Sequence, residues 1–275
     1  MKKILISTLL LFSWMTQAAS ADDVSAEALL RQMNEASHNL NYELSYILVQ
    51  KNSIEPLVYR HANVNEQHIA HLAYLSGPLR EVIQRDSEVS YIEPNTDPFT
   101  IQSNHMVAPL LPFIDSDIDK LSQLYDFLLI GRSREAGAVC QVIRVVPKDG
   151  LRYSYLVWID ERSKLPLRAD LKERNGETLE QYRTISFSIN DQIGTLLERL
   201  NDAQLPKVLS VPKTKPQTPS WRVTWLPDGF KGSGMNRYRI SATQNMVESQ
   251  VYTDGLFHFS IYVSDIDDSE NKAKI

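Results

Sequence analysis

Asn41-Tyr42-Glu43-Leu44-Ser45-Tyr46-Ile47-Leu48-Val49-Gln50 is the stretch on which the fold turns. Tyr42, Leu44, Tyr46 and Leu48 alternate with Glu43, Ser45, Ile47 and Val49. Successive side chains of a strand point to opposite faces, so this period of two predicts a β-strand with one apolar face. Further strand-like runs follow near 55–61, 66–75, 79–84, 87–92 and 98–103. Turn residues bound them: Asn52-Ser53, Asn63, Ser76-Gly77-Pro78 and Pro94-Asn95. Short strands at such spacing predict an antiparallel meander. Strands resume at 137–146, 152–160, 165–172 and 178–188. Lys148-Asp149-Gly150 and Arg174-Asn175-Gly176 join them, and Asn-Gly is strong hairpin chemistry.

Three helices interrupt this pattern. Ser25 caps one over 25–38, with Ala26, Leu29, Leu30 and Met33 on one face. A second is expected over 117–130, from Asp117 through Ile118, Leu121, Leu124, Tyr125 and Leu128 to Gly131. A third is expected over 191–200, capped by Asn190. Beyond it the composition shifts. Pro206, Pro212, Pro216 and Pro219 fall among Lys, Thr, Gln and Ser, the signature of an extended, semi-rigid linker. Strand-like runs then return at 221–225, 236–241, 246–253 and 256–263, before an acidic, polar tail.

The amino terminus reads differently. Lys2 and Lys3 precede an apolar run from Ile4 to Met15, followed by Ala18-Ala19-Ser20-Ala21. That is the charged, apolar and small-residue order of a secretory signal peptide. The run is too short to span a bilayer, which needs roughly 20 apolar residues. A buried N-terminal helix is the competing reading. Without a Cys at the cleavage position, lipid attachment there is chemically excluded. The expected organisation is therefore a signal peptide over 1–21, a large domain over 22–203, a linker over 204–219 and a small domain over 220–275. The fold class is α+β: a large curved antiparallel sheet, a half-barrel, with helices on its concave side, plus a small β-rich C-terminal domain.

Composition narrows the function. The 275 residues carry 29 Lys and Arg against 34 Asp and Glu, a formal charge of −5. With no positive excess to displace counterions, nucleic acid is not an expected partner. Ten Gly argue against glycine-rich phosphate loops, and a single Cys excludes a disulfide framework. Cys140 lies in a β-branched stretch and reads as a buried thiol. No nucleophile elbow or Cys–His grouping is present. Asp115, Asp117 and Asp119 surround a helix start, where they complement its dipole. His68 and His71 fall on opposite faces of a strand. No catalytic residue, metal ligand or cofactor is expected. The aromatic content is more informative. Tyr42, Leu44, Tyr46, Leu48, Leu156 and Trp158 sit on strands and would line an apolar trough able to hold acyl chains. An ordinary sheet–helix core is the alternative.

Two stretches carry a resemblance. Val157-Trp158-Ile159-Asp160, Leu165-Pro166-Leu167-Arg168, Gly176 and Leu179-Glu180 form a strand–turn–strand series that looks like the half-barrel of the lipoprotein carriers LolA and LolB. Trp221, Trp225-Leu226-Pro227-Asp228-Gly229-Phe230 and the run Tyr252 to Val263 resemble the small C-terminal domain of the RseB/MucB family. Signal peptide, domain order and linker fit that family as well. The second domain is shorter than the family pattern, which continues past Val263 with more strands and a final helix.

The resemblance implies regulation rather than catalysis. Members of that family are periplasmic and bind the periplasmic part of an RseA/MucA-type anti-sigma factor. They shield it from regulated proteolysis, and lipid or lipopolysaccharide is the ligand that releases them. On this reading Trp221, Trp225, Phe230, Asp254 and Phe257 contact the partner, and the half-barrel trough senses lipid. Self-association into a homo-oligomer is compatible with it. The alternative is a periplasmic lipid or lipoprotein carrier, which would need neither the second domain nor its Trp-rich motif.

Overall fold

The computed structural model of the chain describes residues 25–209, 218–239 and 245–264. The expected signal peptide, the middle of the linker and the acidic tail lie outside the described residues.

Helix α1 (Ala26–Asn39) starts where Ser25 Oγ accepts the Ala28 N–H at 3.1 Å. The chain then enters the meander: β1 (Tyr42–Gln50), β2 (Ser53–Val64), β3 (Gln67–Tyr74), β4 (Glu81–Arg85), β5 (Glu88–Ile92) and β6 (Phe99–Gln102). A single helical turn, α2 (Ile118–Leu121), precedes β7 (Tyr125–Glu135), β8 (Ala138–Pro147), β9 (Ser154–Asp160), β10 (Pro166–Lys172) and β11 (Thr178–Ile189). All eleven strands form one sheet in the order β6-β5-β4-β3-β2-β1-β11-β10-β9-β8-β7. β1 sits in the middle, antiparallel to β2 and β11. The expected large, open antiparallel sheet is therefore present.

The sheet has two unlike faces. Tyr42, Leu44, Tyr46 and Leu48 define the inner face, with Tyr59, Leu72 and Val89 beside them. Met106, Leu111 and Ile114 pack against that cluster. Further along the same face, Leu29, Leu30 and Met33 of α1 pack with Phe113, Ile143, Val145 and Val157. Helix α3 (Asp191–Glu198) lies on the outer face instead. Its Ile193 and Leu197 cover Ala62 and Ile69, a cross-strand pair of opposite parity to His61 and Tyr42.

The helix expected over 117–130 does not form beyond α2. Tyr125–Glu135 is an edge strand paired with β8. The apolar stripe that suggested a helix, Ile118, Leu121, Leu124, Tyr125 and Leu128, runs into a continuous apolar stretch, Phe127 to Ile130, and such a stretch has no period of its own. Tertiary pairing decides the matter, beginning with the Lys148 N–H donating to the Leu124 carbonyl at 3.0 Å. Gly131, read as a helix end, is a bulge residue at φ 139° where the β7–β8 register shifts.

The small domain is a three-stranded sheet, β12 (Lys231–Arg239), β13 (Met246–Thr253) and β14 (His258–Ser264), in sequence order. The strand expected at 221–225 is absent. Those residues are irregular, and Pro227-Asp228-Gly229 turns the chain, with the Phe230 N–H bonded to the Pro227 carbonyl at 3.2 Å. Trp221 and Trp225 thus share no strand face. The first stretch of the expected linker belongs to the large sheet. Thr100 Oγ1 donates to the Pro206 carbonyl (2.8 Å), the Leu209 N–H donates to the Thr100 carbonyl (2.7 Å), and Val208 bridges Thr100 in parallel.

Candidate functional site

Two places on this frame combine apolar surface with polar groups: the inner face and the junction of the two domains. On the inner face Tyr42, Leu44, Tyr46 and Leu48 are buried as core. The Tyr42 ring lies 5.4 Å from His61 and 5.9 Å from Tyr59, and Tyr46 OH donates to the Pro109 carbonyl at 2.7 Å. Beside them is a cavity of about 370 Å³ lined by Ser37, Tyr59, His61, Ala70, Leu110 and Ile114. Burial lowers the His61 imidazole to about 4 even though its Nδ1 bonds the Leu40 carbonyl at 2.9 Å. The neutral ring therefore carries its proton on Nδ1. Where β1 and β11 begin and end, a cleft of about 930 Å³ opens between Leu40, Ala138, Val139, Arg162, Phe187 and Ile189. Phe187 and Ile189 pair with Leu44 and Tyr42, so this cleft continues the inner face.

Leu156 and Trp158 belong to the other face. Trp158 pairs with Arg168, Arg168 with Arg183, and Arg183 with Ile47, the residue between Tyr46 and Leu48. Leu156 follows the same parity through Asp170, Gln181 and Val49. The Arg168 guanidinium lies over the Trp158 ring at 4.2 Å, while its nitrogens bond Asp170 (2.8 Å) and Glu135 (3.3 Å). Trp158 is nevertheless buried in the same apolar cluster as Tyr42, Leu44, Tyr46 and Leu48, with Leu156 packed against it, so the pairing separates the two groups by strand parity but not by packing.

The junction is built on Asp254. Its side chain is fully buried. Oδ2 accepts from Tyr125 OH (2.5 Å) and Arg152 Nη1 (2.8 Å); Oδ1 accepts the N–H groups of Leu256 (2.9 Å) and Phe257 (2.7 Å). Arg152 is tied back by Asp149 at 2.8 Å. Burial alone would raise the Asp254 carboxyl, but the Tyr125 hydroxyl, the two backbone N–H groups and the Arg152 guanidinium outweigh it and hold the group below the usual carboxylate range. Around this centre Phe257 stacks on Tyr155 (5.6 Å, 15°), and Phe230 lies 5.2 Å from Phe259 with Arg152 5.8 Å from its ring. Gly229, at φ 82°, comes so close to Leu124 that a Cβ there would clash with it.

The two domains match separately the family descriptions "MucB/RseB N-terminal domain" over residues 25–209 and "MucB/RseB C-terminal domain" over 215–275. The chain belongs to the MucB/RseB family. Among MucB/RseB relatives, the sigma-E factor regulatory protein RseB of Escherichia coli K12 is 48% identical over 261 residues, covering 94% of this chain and 81% of the relative. The sigma factor AlgU regulatory protein MucB of Pseudomonas aeruginosa is 27% identical over 90% of this chain and 75% of its own length. A solved MucA/MucB complex from P. aeruginosa shares the fold, with a TM-score of 0.67 at 24% identity over 86% of this chain and 79% of that one.

Within this MucB/RseB frame, the five residues expected to meet a partner separate. Phe230, Asp254 and Phe257 come together, but against the large domain. Trp221 is half-buried, and Trp225 is 67% exposed. The residues that complete the junction, Tyr125, Arg152, Asp149 and Leu124, did not stand out in the sequence. Tyr125 and Leu124 were hidden by the expected helix. Arg152 follows the Asp149-Gly150 turn, and nothing local marks it as the partner of a carboxylate 102 positions away.

Proposed function

We propose that this protein is a periplasmic negative regulator of an envelope-stress sigma factor. It binds the periplasmic part of an RseA/MucA-type anti-sigma factor and shields it from proteolysis, and lipid or lipopolysaccharide entering the inner-face cleft releases it. The observation that carries this reading is the 48% identity, across both domains, to a protein named as a sigma-E factor regulatory protein. The solved MucB structure in complex with MucA(peri), at TM-score 0.66, supports the partner class. No helix among the described residues is long and apolar enough to cross a membrane. Phe230, Asp254 and Phe257 serve the partner surface by fixing the small domain, and Trp225 is the residue offered to solvent. A carrier would use the same cleft but has no need of a second domain docked through a buried carboxylate.

The test is a pull-down of the full chain with the periplasmic segment of the anti-sigma factor, with and without lipopolysaccharide. Capture without lipid and release with it are expected; capture unaffected by any acyl ligand would remove the lipid half of the proposal. Ile189→Asp places a charge in the cleft and is expected to abolish displacement by an acyl-chain fluorophore. Trp158→Ala, on the outer face, is expected to leave that displacement unchanged.

A further inference from the structure

β7 is one edge of the large sheet, and among the described residues nothing pairs with its outer side. Its ladder with β8 fixes which backbone groups are free. Lys148 bonds the Leu124 carbonyl, and Pro147, opposite Tyr125, has no N–H to give. Hydrogen-bonded and non-bonded pairs alternate in an antiparallel ladder. The bonded positions of β7 are therefore Asp126, opposite Val146, and Leu128, opposite Arg144. Tyr125, Phe127 and Leu129 turn their N–H and C=O groups outward. Leu128, Leu129 and Ile130 are 49%, 43% and 52% exposed, an apolar run on an unpaired edge. Such an edge is a template for another strand.

The geometry points to β7 as the strand to which an extended peptide segment of the anti-sigma factor adds, an inference that rests on the function proposed above. The side chains define the segment. By register Phe127 and Leu129 lie on the inner face, followed after the bulge by Arg132 and Arg134. Glu161 already holds Arg132, whereas Arg134 bonds the Gly137 carbonyl (2.8 Å) and pairs with no carboxylate among the described residues. The segment that fits carries apolar residues at alternate positions abreast of Phe127 and Leu129 and an acidic residue abreast of Arg134. The Gly131 bulge falls between the apolar and the basic positions, so the segment must follow a bend there. Its other end meets Tyr125, where the small domain docks, so the bound segment lies beside both domains. A second copy fits less well. Pairing β7 with itself about Leu129 sets the bulge of each copy against Phe127 of the other, so the irregularity counts twice.

The experiment uses the full chain and a synthetic peptide spanning the periplasmic segment of the anti-sigma factor. Amide hydrogen exchange is expected to show the Phe127 and Leu129 N–H groups protected when the peptide is bound. Leu129→Pro removes an outward N–H while sparing the ladder to β8. It is expected to weaken binding about tenfold, the worth of one or two backbone hydrogen bonds, without lowering the melting temperature. Arg134→Glu leaves the backbone alone and is expected to weaken binding too, with recovery when the facing acidic residue of the peptide is changed to Lys. Should Leu129→Pro disturb the fold, exchange and the charge swap decide. Wild type that binds the peptide with both amides unprotected, and with Arg134→Glu binding equally well, overturns the site while leaving the proposed function standing. Protection that appears in the chain alone and grows with its concentration identifies a second copy and overturns it also. Wild type that captures no anti-sigma segment overturns the functional reading itself, and the β7 assignment with it.

Discussion

Asp254 shows what one residue does when four donors converge on it in a buried place. Removing one partner of a buried, hydrogen-bonded pair typically costs about 3–5 kcal/mol, because the remaining charge stays desolvated. Asp254→Asn is accordingly expected to lower stability by about 3 kcal/mol, read by urea denaturation, with Arg152 left to Asp149 alone. The pH dependence follows from the lowered carboxyl. A group whose folded value lies below its unfolded one stabilises fully above the unfolded value, near 4 for Asp. That stabilisation is lost as the pH falls through the lower folded value, so the junction should weaken only in the acid range below about pH 4. The acid limb of a stability curve should flatten in Asp254→Asn. Trp225 poses the opposite case. It is open to water, so Trp225→Ala should leave the melting temperature near wild type while weakening anti-sigma binding by about 2 kcal/mol, as loss of an interface Trp does. Titration calorimetry beside a thermal melt checks both.

At the scale of elements, what was legible depended on whether the pattern was local. The period of two in Tyr42–Leu48 specified β1 and its buried face. Asn175-Gly176 specified the β10–β11 hairpin, and Ser25 the start of α1, because in each case the physics sits within a few residues. The run from Asp117 to Gly131 failed for a corresponding reason. Its apolar spacing suits a helix, and only the reach of β8 across the turn makes it a strand. The strand parity of Trp158 was also out of reach, since it depends on the registers of β1 with β11, β11 with β10 and β10 with β9, which only tertiary pairing sets. At Gly131 the backbone occupies a region that L residues rarely adopt, although there is open space for a side chain. Gly131→Ala is therefore expected to cost on the order of 1–3 kcal/mol through backbone strain alone. A scan of melting temperature should show the loss, and Gly234→Ala, also in open space but without positive φ, should not.

On the scale of the whole molecule, the small domain does not stand by itself. A unit of that size buries too little apolar surface to be stable alone. Here Leu256 and Phe257 join the core cluster that holds α1, Tyr125 and Tyr155 to the large sheet. Calorimetry of the wild type should show one transition, as a coupled unit requires. Arg152→Ala, by uncoupling Asp254, should split off a smaller transition at lower temperature. The two edges of the large sheet complete the picture. β6 is closed by the chain's own Pro206–Leu209, whose bonds to Thr100 occupy that side. β7 stays open. A sheet free at both margins can propagate without limit, each newcomer offering a fresh margin to the next. This one has a valence of one. Whatever strand it accepts, association through it saturates at a single guest, and the fold carries its own chain terminator against fibrous growth.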